Sequence, residues 1–259
     1  MRLEGRVAIV TGGGKGLGRA ISLAFAREGA DVVVAARTDA ALKEVASEIE
    51  AMGRKSLTVV IDLTDPEQPL KMVNRTLEEF GRIDVLVNNS GIEGPTASVA
   101  DMDLEGWNQV LAINLTGAML CAKHVLKNMI PRQSGNIINI SSGAGRWGFS
   151  LRSPYSVSKW GIISLTQSLA REVGEYGIRV NCIAPGPVEG DRIDRVYQHR
   201  SELTGKTIEE LMEIDRAKAA LHRFVTAEEV AALAVFLASD ESSGMTGQTL
   251  NCSAGYSMN

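Results

Sequence analysis

The chain has 259 residues, of which 44% are hydrophobic and 22% are charged, and its formal net charge is −4. This length and composition are typical of one large globular domain or of two small ones. The negative charge, without a basic stripe or a polybasic tail, excludes a general nucleic-acid binder, which needs clustered Lys and Arg to neutralise phosphates.

The cysteines and the first residues indicate the cellular setting. Cys121, Cys182 and Cys252 are too few and too dispersed for a disulfide framework, and they lack the CxxC spacing of a zinc site. The start, MRLEGRVAIVTG, contains only a short apolar run, which is not enough for a signal peptide or a spanning helix. We therefore expect a cytoplasmic protein with no metal site, no membrane partner and no nucleic-acid partner.

Short β-branched runs alternate with amphipathic segments along the chain. In chain order, the predicted strands are RVAIVTG, DVVVAAR, SLTVVIDL, IDVLVNN, NIINISS, GIRVNCIAPG and GQTLNCS. The predicted helices are LGRAISLAFAREG, DAALKEVASEIEAMG, PLKMVNRTLEEFG, a long helix at about 103–130, a helix from 154, and TAEEVAALAVFLAS.

Strands that are apolar on both faces, alternating with helices, indicate a parallel sheet covered on both sides. The sequence thus predicts an α/β, doubly wound, Rossmann-like fold of about seven strands, with ligands outside the carboxyl ends of the strands. No linker or repeat divides the chain, so we expect a single domain over 1–259. Within it, the polar segment at about 187–225, broken at Gly205, is long enough to be a substrate lid.

A glycine-rich loop, TGGGKGLGRA, lies between the first strand and the first helix. Glycines allow a tight turn and close backbone approach to a pyrophosphate, and the helix N-terminus supplies free N–H groups. The position of the loop is the one that a dinucleotide-binding motif requires. A purely structural turn is the alternative.

Five motifs occur in an order and spacing that resembles the short-chain dehydrogenase/reductase family, in particular its 3-oxoacyl-carrier-protein reductases. They are the glycines Gly12, Gly16 and Gly18, the NNSG stretch at 88–91, Ser142, Tyr155 and Lys159. The resemblance extends from Gly5 to about Gly255. A Tyr-x-x-x-Lys pattern alone is weak evidence, whereas the whole set is specific.

Ser153 suits an N-cap and Pro154 the first helical position, so a helix is predicted to begin there. Tyr155 and Lys159 then lie one turn apart on the same helix face. A nearby ammonium favours the phenolate form of a tyrosine, which makes Tyr155 a usable acid or base. The alternative is a surface helix with two solvated polar tips.

The resemblance implies roles for Lys159 and for three further residues. Lys159 would also hold the ribose of the nicotinamide, and Ser142 would hydrogen-bond the substrate oxygen. Ser141 would be a structural neighbour, although a register slip of one residue remains open. Asn114 would belong to a proton relay through water, with a merely solvent-facing asparagine as the alternative.

The resemblance further implies a set of nucleotide contacts: Gly12, Lys15, Gly16, Leu17, Gly18, Arg37, Asp62, Leu63, Asn88, Gly91, Tyr155, Lys159, Pro185, Gly186 and Val188. Asp62 is placed against the adenine, with a capping role as the alternative. Asn88 and Gly91 are placed under the adenosine. Ser90 stands where alanine is usual.

The end of the second strand indicates which nucleotide is bound. Ala36 stands where an NAD enzyme has an acidic residue, and Arg37 follows it. Arg37 and Lys15 would favour the 2′-phosphate of NADP by charge-assisted hydrogen bonds. In the alternative, Arg37 caps a surface turn and Asp39 binds the ribose of NAD. We expect NADP(H).

Trp147, Arg152 and Arg192 are candidate substrate contacts, because an aromatic group with arginines suits a substrate with an apolar body and an anionic group. Arginines that are merely on the surface are the alternative. Gly190 stands where the family usually has threonine against the carboxamide of the nicotinamide, so one expected contact is missing. The Val188 backbone would still reach the carboxamide.

Together these features predict an NADP(H)-dependent oxidoreductase, of the ketoreductase type, that transfers hydride between nicotinamide and a small carbonyl or secondary-alcohol substrate. Two alternatives remain: an NAD-linked sugar or hydroxysteroid-type dehydrogenase, and a non-catalytic nucleotide-binding sensor. The resemblance suggests a homotetramer or homodimer, with the helices at 103–130 and 154–176 and the C-terminal strand at its interfaces.

Overall fold

A computed structural model describes residues 1–258 of the chain. Its seven strands are β1 (Val7–Thr11), β2 (Asp31–Ala36), β3 (Ser56–Val60), β4 (Val85–Asn88), β5 (Gly135–Ile140), β6 (Ile178–Pro185) and β7 (Thr249–Cys252). They form one sheet in the order β3-β2-β1-β4-β5-β6-β7, and every neighbouring pair is parallel. The prediction of a seven-stranded parallel sheet is confirmed.

Helices connect the strands. They are α1 (Gly16–Arg27), α2 (Asp39–Ala51), α3 (Gln68–Phe80), α4 (Leu104–Leu111), α5 (Gly117–Arg132), α6 (Ser153–Val173), α7 (Asp191–Thr204), α8 (Ile208–Arg216) and α9 (Ala227–Ala238). A crossover helix is what a parallel pair of strands needs, because a tight turn cannot bring the chain back to the same end of the sheet.

Both faces of the sheet are buried. On β1, Ala8 and Val10 pack into a core with α1, α2 and α9, while Ile9 packs into a second core with α3, α5 and α6. Because successive strand side chains point to opposite faces, a strand between two cores must be apolar at every position. This explains the continuous apolar runs of the sequence.

The strand order reverses beside β1, which lies between β2 and β4. At such a switch point the two flanking connections leave toward opposite faces, so a crevice opens outside the carboxyl ends of the strands. The glycine-rich loop follows β1 there, and the stretch at 88–91 follows β4. The fold therefore brings the sequence motifs to one edge of the sheet.

The predicted long helix at about 103–130 contains an irregularity. A π-helical turn, Ala112–Thr116, separates α4 from α5. By length and composition the stretch Leu104–Arg132 could cross a membrane, but 56% of its most apolar window is buried inside the molecule. Its buried side chains, among them Val125 and Met129, pack on the sheet as in a core helix.

The segment at 187–225 forms a small unit at the same edge. Helices α7 and α8 pack on each other through Tyr197, Leu211 and Phe224. The prediction that helical stretches break at Gly205 is confirmed, because Gly205 ends α7 in the left-handed conformation. An isolated parallel bridge between Val188 and Val225 joins the two ends of the segment.

Candidate active site

The glycine-rich loop is built from closely packed backbone. Gly12 has a φ of +68° and donates its N–H to the carbonyl of Ala35 at 2.6 Å. A side chain at Gly12 would lie 2.8 Å from Nδ2 of Asn89, and one at Gly18 would overlap the carbonyl oxygen of Gly12. At Gly16 the space is open. The loop thus exposes backbone at the start of α1, where a pyrophosphate can be held.

A contact that the sequence did not indicate ties this loop to the end of β4. The hydroxyl of Thr11 accepts hydrogen bonds from the backbone N–H groups of Asn89 and Ser90, at 3.0 and 3.1 Å. The Asn89 side chain donates to the Thr11 carbonyl at 2.9 Å. These bonds fix the spacing between two motifs that are about 80 residues apart in the chain.

Lys15 and Arg37 are both exposed, and neither forms an ion pair within residues 1–258. Asp39, the alternative ribose ligand, is the first residue of α2 and is paired with Lys43 at 2.6 Å. Asp62 accepts hydrogen bonds from the backbone N–H and the hydroxyl of Thr64. These bonds lower the pKa of the Asp62 carboxyl, and the charge of Arg37 lowers it further.

The side chain of Asn88 points into the protein, not toward the crevice. Its amide donates to the Ala118 carbonyl at 3.2 Å and to Oδ1 of Asn139 at 2.9 Å. Asn139 in turn donates to the hydroxyl of Thr166. This buried polar chain links β4, β5, α5 and α6, so Asn88 can line the crevice through its backbone alone.

The other predicted nucleotide contacts lie after strand ends or at the loop. Leu63 follows β3, Leu17 lies in the first turn of α1, and Pro185, Gly186 and Val188 end or follow β6. The N–H of Gly186 donates to the Cys252 carbonyl at 2.9 Å, which leaves no room for a side chain there. All of them therefore lie at the sheet edge that the switch point opens.

Ser142, Tyr155 and Lys159 converge at this edge. Tyr155 lies in the first turn of α6, and Nζ of Lys159 is 5.8 Å from the centre of its ring. Nζ of Lys159, which is buried, donates one hydrogen bond to the carbonyl of Ile140 at 2.8 Å. An ammonium has three N–H donors, so two remain for other partners.

The surroundings of Tyr155 favour its phenolate. Burial raises the pKa of the Tyr155 phenol, but the charges of Arg192 and Lys159 and a hydrogen bond to Ser142 outweigh this effect. The pKa is thereby held below its usual value of 10.0. Burial lowers the pKa of the Lys159 ammonium, and the phenol only partly opposes this effect.

Ser141 and Ser142 face different surroundings. The hydroxyl of Ser141 donates to the carbonyl of Lys159 at 2.8 Å inside the protein. The hydroxyl of Ser142 accepts from the N–H of Ala144 at 3.2 Å and also reaches Tyr155. Only Ser142 therefore has its hydroxyl beside the phenol.

Asn114 lies in the π-helical turn and is buried. Its Oδ1 accepts from the N–H of Ile92 at 2.8 Å, and its Nδ2 donates to the Ile92 carbonyl at 3.0 Å and to the Ser158 hydroxyl at 3.1 Å. Both amide hydrogens are thus used within the protein. The side chain fastens the loop after β4 to α6 and is not solvent-facing.

The predicted start of α6 is wrong by one residue. The helix begins at Ser153, and Arg152 occupies the N-cap position. The Ser153 hydroxyl is buried and has no hydrogen-bond partner within residues 1–258, so it does not act as the predicted cap. Pro154 still lies in the first turn, where its missing N–H costs nothing.

Two of the three predicted substrate residues, Arg152 and Arg192, lie beside Tyr155. Arg152 and Arg192 each place their guanidinium carbon 5.6 Å from the centre of its ring. The sequence did not point to Glu93, whose Oε1 pairs with Arg192 at 3.3 Å and with Arg195 at 3.4 Å.

Trp147 is the third predicted substrate residue, and Gly190 is the position where the family usually has threonine. The Trp147 ring packs near Tyr256, with 6.1 Å between ring centroids. Gly190 has a φ of +122°, which a β-branched threonine cannot adopt. Gly190 therefore suits the backbone conformation at the start of α7, whereas threonine does not.

A family model described as Enoyl-(Acyl carrier protein) reductase matches residues 12–257. A 3-oxoacyl-(acyl-carrier-protein) reductase FabG of Thermotoga maritima is 37% identical over 98% of this chain and 99% of its own. The chain belongs to the short-chain dehydrogenase/reductase family.

Solved structures of the short-chain dehydrogenase/reductase family agree with this fold. An NAD+-bound xylitol dehydrogenase superposes with a TM-score of 0.95 at 30% identity, covering 98% of this chain and 100% of its own. An actinorhodin polyketide ketoreductase with NADPH gives 0.92 at 33% identity, covering 97% of each chain. The chain is therefore an oxidoreductase of a family that uses nicotinamide cofactors. Among its structural neighbours, one holds NAD+ and another holds NADPH.

Proposed function

We propose that this short-chain dehydrogenase/reductase is an NADP(H)-dependent enzyme that interconverts a carbonyl and a secondary alcohol, with Tyr155 as the acid and base. The observation that carries the proposal is the convergence of Ser142, Tyr155 and Lys159 at the crevice. A phenol whose pKa is held below its usual value beside a buried ammonium suits proton transfer. A nucleotide sensor has no need of such a group.

When bound, the nicotinamide supplies or accepts the hydride. In carbonyl reduction, Tyr155 donates its phenolic proton to the carbonyl oxygen, and the Ser142 hydroxyl donates a hydrogen bond to the same oxygen. Lys159 stabilises the phenolate and has two N–H donors left for the ribose hydroxyls. Alcohol oxidation reverses these transfers. Asn114 holds the loop that borders the site and contributes to the proton relay.

The cradle fits a dinucleotide, because the glycines at 12 and 18, where a side chain would overlap neighbouring atoms, leave bare backbone beside the start of α1. Three observations support NADP(H) over NAD(H). Ala36 offers no carboxylate to the adenosine ribose, and Arg37 and Lys15 are exposed without ion-pair partners in residues 1–258. Asp39 is engaged by Lys43 at the start of α2. The NAD-bound xylitol dehydrogenase keeps NAD(H) as the competing outcome.

The nucleotide preference is tested by fluorescence titration of wild type, Arg37→Ala and Lys15→Ala with NADPH and NADH. We expect each variant to weaken NADPH binding about 10-fold, because each removes a charge-assisted hydrogen bond, and to leave NADH binding nearly unchanged. Arg27→Ala, at the far end of α1, is the matched control. Equal weakening of both nucleotides, or a wild type that prefers NADH, contradicts the NADP assignment.

The catalytic assignment is tested with Tyr155→Phe and Ser142→Ala on a panel of ketones and aldehydes. We expect Tyr155→Phe to lose turnover by at least about 1,000-fold while it binds the nucleotide normally. Ser142→Ala should lose about 100-fold. A Tyr155→Phe variant with wild-type rates would overturn the assignment, and a wild type that binds nucleotide but reduces no carbonyl would favour the sensor.

Three further parts of the proposal concern the whole molecule. The segment at 187–225 acts as a lid, supported by the bridge that closes its base and by its contact with Tyr155. A homotetramer is supported by the exposed apolar side chains of Met119, Val157 and Trp160 on α5 and α6. Light scattering coupled to gel filtration measures the assembly. The free cysteines support a cytoplasmic location.

A further inference from the structure

Positive charge lies close to the proposed proton donor. The guanidinium groups of Arg152 and Arg192 both lie 5.6 Å from the ring centre of Tyr155. They come from different elements, since Arg152 precedes α6 and Arg192 lies in the first turn of α7. The ammonium of Lys159 is already assigned to the phenol and the ribose, whereas the two arginines so far have only an electrostatic effect on the pKa of Tyr155.

The positive charge of Arg152 is buried, which is unusual for an arginine. Its residue is 7% exposed, and its Nη2 donates to the backbone carbonyl of Glu93 at 3.2 Å. Its Nε is buried and has no hydrogen-bond partner within residues 1–258. Burial lowers the pKa of the Arg152 guanidinium, which expresses the cost of removing this cation from water. A buried guanidinium normally has an anionic partner.

One carboxylate approaches the cluster but does not satisfy it. Glu93 pairs with Arg192 and Arg195 through a single oxygen, at 3.3 and 3.4 Å. Charge-assisted hydrogen bonds between such groups usually measure about 2.7–2.9 Å, so these contacts are long. Glu93 offers only its backbone carbonyl to Arg152. Glu93 therefore leaves Arg152 without a carboxylate partner and holds Arg192 only through a long contact.

We propose that the substrate carries a carboxylate close to its reacting carbonyl or alcohol carbon, and that Arg152 and Arg192 hold this carboxylate. The inference deepens the proposed function and rests on it. The planar guanidinium group matches the two oxygens of a carboxylate, which gives orientation as well as affinity. A carboxylate fixed there sets the distance between the reacting carbon and the phenol of Tyr155.

The two arginines have different tasks in this arrangement. Arg152 is fixed by burial and forms the permanent half of the site. Arg192 is half-exposed on the proposed lid, and its weak pairing with Glu93 can be exchanged for a stronger pairing with the substrate. Binding of the carboxylate thereby draws the start of α7 toward Tyr155.

The test compares keto acids with their neutral methyl esters: acetoacetate, 4-oxopentanoate and 4-oxocyclohexanecarboxylate. We expect wild type to prefer the acids, and Arg192→Gln to lower the ratio of kcat/KM for acid over ester by about 10- to 100-fold, mostly through KM for the acids. The ratio is the readout, because loss of the Arg192 charge also removes an effect that lowers the pKa of Tyr155 and so acts on acids and esters alike. Arg152→Gln should behave likewise, and Arg152→Lys should recover part of the loss. Arg171→Gln, an exposed charge removed near the other end of α6, is the matched control.

A binding measurement separates this inference from the proposed function. Calorimetry with cyclohexanecarboxylate and cyclohexanecarboxamide on the nucleotide-saturated protein needs no turnover. Suppose that cyclohexanecarboxylate binds, that cyclohexanecarboxamide does not, and that Arg192→Gln weakens the binding at least 10-fold. This result supports a carboxylate site at Arg152 and Arg192 even if no carbonyl is reduced. The carboxylate proposal is overturned if the two probes bind equally or not at all. It is also overturned if esters are reduced as well as acids and neither arginine variant changes that result. The oxidoreductase assignment stands in both cases.

Discussion

Replacing Asn114 by alanine tests how the site is held in place. The side chain makes three hydrogen bonds, two with the backbone of Ile92 and one with the hydroxyl of Ser158. Glu93, the next residue after Ile92, offers its carbonyl to Arg152. Loss of the Asn114 amide therefore frees the loop that carries both groups.

The size of the expected loss of stability follows from the polar groups that the Asn114→Ala variant leaves without partners. The variant leaves the N–H and the carbonyl of Ile92 without their partner, and each such group costs about 1–3 kcal/mol when it is buried. Because Ile92 is half-buried, the lower part of this range applies. With the smaller loss at Ser158, we expect the free energy of unfolding to fall by about 2–4 kcal/mol.

Urea unfolding followed by circular dichroism measures this change, with Asn108→Ala on the exposed side of α4 as the control. The midpoint of Asn114→Ala should move down by about 1 M at a slope near 3 kcal/mol/M, whereas the control should not move. A variant as stable as wild type that has lost turnover would refute the positioning role. Asn114 would then act in proton transfer alone.

Two other substitutions have outcomes that the structure sets. Gly18→Ala places a methyl group onto the Gly12 carbonyl oxygen. In Gly16→Ala the space is open, and only the left-handed backbone costs about 1–2 kcal/mol. The midpoint temperature of thermal unfolding should therefore be well below that of Gly16→Ala in the Gly18→Ala variant. Asp84 is 1% exposed and pairs with Arg82 and Arg132. Burial raises the pKa of its carboxyl, but these arginines and the N–H of Val7 outweigh burial and hold the pKa below 3.8. Because Arg82 and Arg132 are both partly exposed, Asp84→Asn should lose about 1–3 kcal/mol at neutral pH. The deficit relative to wild type should shrink as the pH falls below 3.8, since protonation then removes the same interaction. Urea titrations at pH 7 and in acid check the sign, and a deficit independent of pH contradicts it.

The fold could be predicted because its signals are local. Runs such as VAIVT and DVVVAA are apolar at every position, which only a strand buried on both faces requires. The glycines of the first loop are needed by the backbone itself, as the overlap at Gly18 shows. Once the sheet is parallel, its carboxyl edge collects every motif that follows a strand. The positions of Ser142 and Tyr155 at one edge follow from these rules.

The one-residue error at the start of α6 shows that local sequence signals do not fix the exact boundary of a helix. Ser153 and Pro154 have the composition of a helix start, yet the Ser153 hydroxyl is buried and Arg152 takes the cap position. The π-helical turn at Ala112–Thr116 is similar, because nothing in the letters AINLT distinguishes it from an ordinary helical turn.

Glu93 could not be found from sequence at all, and this explains why the substrate side resists prediction. It lies in an irregular stretch without periodicity, and its partners Arg192 and Arg195 are about 100 residues away in the chain. Only the folded crevice brings this carboxylate to the arginines and leaves Arg152 without one. The nucleotide side depends on the backbone geometry of the first loop, which the glycine pattern of the sequence indicates. The proposed substrate side depends on charged residues from three separate segments of the chain. Because these residues become neighbours only in the folded protein, no single sequence motif predicts the site.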